Sequence, residues 1–365
     1  GDRTPSPGHA GPMGRSCRAL LAAGLLAFAC PPRCAGLRRP AVVGAGAGRD
    51  GGGKQPDHMR LAVLISGLLD RLVLPPLLNR VLAPSRPGGY RVDVFLALSG
   101  HPRSQATWNP DLRSNFTGEP MLQGVSPERL AAELGRHIRD AGGRLAYLEY
   151  KNVSDWVHPL PKGHDNRARR ISYYSPYSSR VGINLLRRYR SLEQLWSRAT
   201  EEEAKRHFTY DWVLELREDL SWLTPFRLDQ LGLPKAQGAV YGMGCLQFGG
   251  VNDKAVLMDR PAADVMMHRY SEWYGNPDRR LDTINAEQFT QAVAQVHGLD
   301  VVQVPMHNMS AVSSMYQNIG GRRTICMRKS LTHGISLCPK ELGRLPPLPP
   351  DCLRSEQPAG AHQVL

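Results

Sequence analysis

The sequence predicts an open, mostly parallel α/β sheet with flanking helices, built as a single large domain. Three observations predict it. First, short continuous apolar runs such as residues 61–66 (Leu-Ala-Val-Leu-Ile-Ser) and Val92–Leu98 end in Gly or Ser, as strands buried on both faces of a parallel sheet do. Second, stretches with helical periodicity separate these runs. Third, the resulting order of strand, helix, strand, helix, strand is the alternation that builds a doubly wound sheet with right-handed crossovers. With 365 residues, 41% of them hydrophobic, the chain has material for such a core.

In chain order, the run at 61–66 is the first strand and stops at Gly67. Leu68–Leu82 has helical periodicity interrupted at Pro75-Pro76, and Val92–Leu98 is the second strand. Ser126-Pro127-Glu128 opens a helix, with Ser as cap, Pro at the first position and Glu in the first turn. That helix runs to about Asp140 and stops at Gly142-Gly143, before a third strand at Leu145–Tyr150. Asn152–Arg180 is polar and too long for a plain connector, which marks it as a functional or a mobile segment. Gly182–Arg198 is an amphipathic helix with Leu185, Leu186, Tyr189, Leu192, Leu195 and Trp196 on one face. Tyr210–Leu220 reads as a central strand running into a polar turn. Val240–Met243, Ala255–Met258 and Val301–Val304 read as further strands, and Ala262–Tyr274 and Ala286–His297 as helices.

Four segments follow from composition. Residues 1–36 contain Met13, Arg15 and Arg18 and then the apolar run Ala19–Cys30, the layout of a signal peptide or signal-anchor. Residues 37–58 are Gly, Pro, Ala and Arg, a stem or linker with too little apolar surface to fold. Residues 59–344 form the α/β domain, and 345–365 a Pro-rich tail. The sequons at Asn115, Asn152 and Asn308 agree with export. So do the four cysteines beyond the leader, Cys245, Cys326, Cys338 and Cys352, which suit one or two disulfides in an oxidising lumen. Cleaved and membrane-anchored forms both fit the leader, so the Golgi lumen or membrane and the secreted state are both compatible with it.

The net charge of +13 does not imply a nucleic-acid partner. Of the 46 basic residues 38 are Arg, and they are scattered rather than interleaved with Lys on one stretch. The sequence has no Walker loop, no G-x-S-x-G elbow and no HExxH.

Chemistry concentrates in Asp211-Trp-Val-Leu-Glu-Leu-Arg217-Glu218-Asp219. Ligands of open α/β sheets sit outside the carboxyl ends of the strands, and a buried strand ending in Arg-Glu-Asp delivers charge there. Asp219 can hold a divalent cation that bridges two phosphates, and Arg217 can pair with a phosphate or orient the carboxylate. Equally, Arg217 and Asp219 can simply pair with each other. Residues 171–180, with Tyr173, Tyr174, Tyr177 and Arg180, combine rings, hydroxyls and a cation, which is either the mix that holds sugars or a Tyr-rich loop covering the sheet edge. Arg187, Arg188 and Arg190 are either diphosphate ligands or a solvated helix face, and His307 follows the late strand.

Tyr210–Leu220 resembles the strand of GT-A-type glycosyltransferases that ends in Arg-x-Asp in place of the commoner Asp-x-Asp. The order of elements over about residues 60–310 is similar to that group: the opening strand with Ser66-Gly67, Val92-Asp-Val-Phe95, the Leu-, Tyr- and Trp-rich helix before the motif, Asn252-Asp253 before a short strand, and Glu287 at a helix start. The resemblance implies a GT-A, Rossmann-like fold. It implies a nucleotide-sugar donor, a glycan or glycoprotein acceptor, Asp219 at the metal or diphosphate position with Arg217 beside it, and Asp253 or Glu287 as the catalytic carboxylate. It also implies Mn²⁺ or Mg²⁺ at Asp219, with Arg217 in place of the first carboxylate and able to replace part of the cation. The alternative is a non-catalytic carbohydrate-binding or secreted interaction protein on the same scaffold.

Overall fold

The computed structural model describes residues 59–100, 118–152, 180–233, 238–319, 321–327 and 344–347. Its strands are β1 (Arg60–Leu68), β2 (Arg91–Gly100), β3 (Arg144–Asn152), β4 (Trp212–Arg217), β5 (Leu220–Trp222), β6 (Ala239–Met243), β7 (Ala255–Asp259), β8 (Asp300–Val304), β9 (Ala311–Ile319) and β10 (Arg322–Met327). Seven of them form one sheet in the order β3-β2-β1-β4-β7-β6-β8. β7 runs antiparallel to both its neighbours; all other pairings in this sheet are parallel. The fold is therefore the open, mostly parallel α/β sheet expected from the sequence.

Burial on both faces explains the unbroken apolar runs. Along β1, Leu61, Val63 and Ile65 enter one core and Ala62 and Leu64 the other. β7 does the same, with Ala255 and Leu257 on one side and Val256 and Met258 on the other. Each Val, Leu, Ile or Met side chain buried this way contributes about 1.5–3 kcal/mol. The first core is closed by the helical turns after β1, by α1 (Pro127–Asp140) through Leu130, Leu134 and Ile138, and by the small second sheet. The second core is closed by α2 (Arg180–Arg206), α3 (Arg260–Met266), α4 (Arg269–Gly275) and α5 (Ala286–Val296). Three layers result, with the sheet in the middle.

Three expectations are revised. The stretch Leu68–Leu82 is not one interrupted helix: it folds as turns at Leu69–Arg71 and Leu74–Pro76 and a wider helix at Leu77–Leu82, because Pro75 and Pro76 supply no N–H. Ala262–Tyr274 is two helices. The first, α3, is capped by Asp259, whose carboxylate accepts the Ala262 N–H at 2.9 Å, and the break falls at Met267-His268. The second sheet, ordered β10-β9-β5, was not anticipated. Its middle strand β9 holds Ser313, Ser314 and Gln317, buried polar residues that hide an apolar pattern. Cys245 and Cys326 are each disulfide-bonded. Leu345, placed in the tail by composition, packs against the first core. Among the described residues no helix is long and apolar enough to cross a membrane.

Candidate functional site

From β1 the chain passes to β2 and then β3 on one side, and returns to β4 on the other side of β1. The strand order reverses between β1 and β4, and it is beyond the carboxyl ends of such strands that open α/β sheets take their ligands. There Ser66 is paired with Arg217, and Gly67, Glu218 and Asp219 continue past the sheet. Because β7 is antiparallel, its beginning lies at the same edge: Leu216 is paired with Ala255, and the Arg217 N–H donates to the Lys254 carbonyl at 3.1 Å. Asn252, Asp253 and Lys254 are thereby carried to the motif.

Gly67 makes room for this arrangement. A Cβ on Gly67 would lie 2.1 Å from the Glu218 carboxyl carbon, so only glycine lets Glu218 fold over the end of β1. The Glu218 carbonyl accepts the Val73 N–H at 3.0 Å, and the Asp219 carbonyl accepts the Ser314 N–H at 2.8 Å. These bonds fasten the motif to the helical turns on one side and to β9 on the other. Buried Glu119 holds the turns in turn, accepting the Leu74 N–H at 2.7 Å and the Tyr316 hydroxyl at 3.0 Å.

The charged side chains form an alternating series. Asp219, with no solvent exposure, receives Arg217 Nε at 3.0 Å and Nη2 at 3.1 Å, and also pairs with Arg71. Arg71 reaches Glu218 as well, at 3.3 Å. Arg217 Nη1 lies 3.6 Å from Asp253, whose carboxylate also receives Arg188 Nη1 at 3.2 Å. Arg188 Nη2 then donates to Glu215 at 2.8 Å, and Glu215, wholly buried in β4, pairs on its other oxygen with buried Arg269. Buried charges persist only when paired and hydrogen-bonded; Asp219, Asp253 and Glu215 accept hydrogen bonds from arginine, and Glu218 is ion-paired with Arg71.

The titration of the site follows from this geometry. Burial lowers and the neighbouring Asp219, Asp253 and Glu218 raise the affinity of Arg217 for its proton, with the carboxylates prevailing. Burial pushes the Asp253 carboxyl up, but Arg217, Lys254 and Arg188 together hold it below the usual carboxylate range. Burial lowers Lys254, with Arg217 adding to the effect. Glu287 goes the other way: burial, and then the negative charge of Asp253, raise its carboxyl to about 7.

Glu287 is held by the loop before β7 and by its own helix. Asn285 caps α5, its side chain accepting the Gln288 N–H at 2.7 Å. The Glu287 carbonyl accepts the Val251 N–H at 3.0 Å. Gly250 packs against the Glu287 backbone so closely that a Cβ would sit 2.1 Å from it. Asn252 is a structural turn residue: its amide donates to the carbonyls of Cys245 at 2.9 Å and Leu246 at 3.0 Å.

The edge of the sheet thus brings together Arg217, Asp219, Asp253 and Glu287. Tyr173 and Tyr174 lie outside the described residues, and Arg180 is the first residue of α2. Of the arginines in α2, Arg188 turns inward as described, while Arg187 bonds Asn184 at 3.0 Å. The His307 carbonyl accepts the Thr224 hydroxyl at 2.9 Å. Sequence reasoning missed Arg71, Glu215, Arg269 and Lys254. Glu215 alone left a trace, as a charged residue in the middle of a buried strand.

The donor set at Asp219 does not fit a divalent cation. Magnesium or manganese needs several oxygen ligands, whereas both carboxylate oxygens of Asp219 face guanidinium nitrogens. Among the described residues no three His, Cys, Asp or Glu side chains are spaced to hold a metal ion.

No family model matches the chain, and no curated protein matches it. Solved structures give distant similarities. The apo-form glycosyltransferase GlyE of Streptococcus pneumoniae TIGR4 is 10% identical, with a TM-score of 0.30, covering 67% of this chain and 45% of that one. A nucleoside-diphosphate-sugar pyrophosphorylase from Vibrio cholerae RC9 is 10% identical, with a TM-score of 0.33, covering 69% and 94%. The PaToxG glycosyltransferase is 11% identical, with a TM-score of 0.28, covering 65% and 68%. The chain spans less than half the length of GlyE.

Proposed function

We propose that the chain is a GT-A-type glycosyltransferase, taking a nucleotide-sugar donor and transferring its sugar to a hydroxyl of a glycan or glycoprotein in the secretory pathway. One observation carries the reading: at the switch point of the sheet, a cluster of paired arginines and carboxylates holds two carboxyls whose proton affinities are pushed apart, Asp253 down and Glu287 up to about 7. That pairing supplies what a direct displacement needs. Glu287 takes the proton of the acceptor hydroxyl, and the freed oxygen attacks the anomeric carbon. The bond from that carbon to the diphosphate oxygen breaks, and the diphosphate leaves with the electron pair. Arg217 and Arg71 neutralise the leaving charge, the electrostatic part of the barrier. Asp253 stays ionised, held by Arg188 and Arg217, and keeps Glu287 basic enough to act near neutral pH. The leader, the sequons and the disulfide-bonded Cys245 and Cys326 support a lumenal setting.

The test is hydrolysis of a panel of UDP- and GDP-sugars by the secreted protein, beside Arg217→Ala, with and without chelator. The reading expects one donor to be hydrolysed, the variant to lose that activity, and the chelator to leave it in place. Turnover of no donor would favour the carbohydrate-binding alternative. That alternative has its own support, since the ion pairs of Asp219 also make a closed structural cluster.

A further inference from the structure

The loop that holds Glu287 also displays an aromatic ring. Phe248 is 55% exposed and Ile284, at the start of the turn into α5, is 61% exposed. The ring is held there at a conformational cost. Phe248 has φ of 46° and Leu246 of 58°, left-handed values that a bulky side chain adopts only when its surroundings impose them. The surroundings are explicit: the Phe248 carbonyl accepts the Asn285 amide at 2.9 Å, and the Gly250 N–H donates to the Gln247 carbonyl at 2.8 Å. Lys254 approaches the ring, with its Nζ 5.9 Å from the centroid, and this is the lysine whose neighbours are Asp253 and Glu287. Amide side chains occur in the same segments: Gln303 donates to Gln247, the residue before Phe248, at 2.8 Å, and Gln288 and Asn285 flank Ile284.

We propose that Phe248 is the platform on which a pyranose ring of the acceptor lies, which rests on the glycosyltransferase reading above. An aromatic face takes up the C–H side of a sugar and amide side chains meet its hydroxyls, while Lys254, 5.9 Å from the ring centroid, connects the platform to the carboxyl that receives the hydroxyl proton. Two apolar side chains among amides are far too small for a protein interface, which needs about 800 Å² on each partner. The left-handed backbone carries the ring on the loop whose Val251 N–H is bonded to the Glu287 carbonyl.

The test is saturation-transfer NMR of the secreted protein with methyl glycosides of galactose, glucose, mannose, xylose and N-acetylglucosamine. At least one is expected to bind. Phe248→Gly removes the ring and relieves the left-handed backbone; it should weaken binding about tenfold or more while unfolding at an equal or higher temperature. Phe248→Tyr should retain binding. Equal binding by Phe248→Gly, or no glycoside bound by the unaltered protein, overturns the platform. Calorimetry with the UDP- and GDP-sugars separates the two readings: donor bound without glycoside removes the platform alone, and glycoside bound without donor removes the transferase alone.

Discussion

Asp219 and Glu287 are both carboxyl groups at one edge of one sheet, and the structure treats them in opposite ways. Asp219 has no solvent exposure and two guanidinium groups on its oxygens. Glu287 is partly exposed, and the influences that dominate its titration are burial and the negative charge of Asp253. A carboxylate locked between arginines is a fixed charge that positions its cations. A carboxyl raised to about 7 is one that exchanges a proton in the working range of the cell. Where the sequence suggested a metal, the structure places oriented guanidinium groups, each paired with a carboxylate.

The largest effect belongs to Glu287→Gln. It keeps the shape and removes the base, and is expected to lower sugar transfer about a hundred- to ten-thousand-fold, read as kcat on the donor found in the panel. Transfer within a factor of a few of the unaltered protein would break the contrast from the Glu287 side. Asp219→Asn tests the other side. It leaves Arg71 and Arg217 short of a buried counter-charge and should cost about 3–5 kcal/mol of stability in denaturant unfolding; a loss below about 1 kcal/mol would show that these arginines are not held by this carboxylate. Glu287→Gln should also change stability, with the reverse sign. The native carboxyl binds its proton more tightly than the unfolded one, so its contribution to stability is complete below the ordinary glutamate value and is lost as pH rises to about 7. Removing the group should therefore stabilise the protein at pH 8 relative to pH 4 by on the order of 2 kcal/mol, discounted from the full shift because the side chain meets solvent. Melting curves at the two pH values decide it. The smallest effect is that of Asn285→Ala, which removes the cap of α5 and should cost about 1 kcal/mol, with a matching drop in the melting temperature.

Much of the fold was legible because it rests on local patterns. β1, β2 and β4 announce themselves as apolar runs that need no partner to be recognised, and α1 by its Ser126-Pro127-Glu128 start. β9 was not legible: its buried Ser313, Ser314 and Gln317 are satisfied by a second sheet that no local pattern announces. The site divides in the same way. Arg217 and Asp219 share a motif, and Asp253 and Glu287 stand at the starts of elements, where ligands are usually met. Arg71 lies 148 residues from Asp219, and Arg188 lies 65 from Asp253. Their pairing is a product of the β1-to-β4 neighbourhood and of α2 crossing it, so only the folded chain reveals that the motif carboxylate is already matched. The break within Ala262–Tyr274 was likewise invisible, since every residue there is compatible with a continuous helix.

In the proposed reaction Glu287 moves the acceptor proton while the paired arginines stay fixed. The most direct test is the pH dependence of kcat/KM for sugar transfer between pH 5 and 9, in the unaltered protein and in Glu287→Gln. The account predicts a rate that climbs with pH through an apparent value near 7 and a variant whose residual rate lacks that limb. A profile flat across this range, or a limb near 7 that survives in the variant, would contradict it.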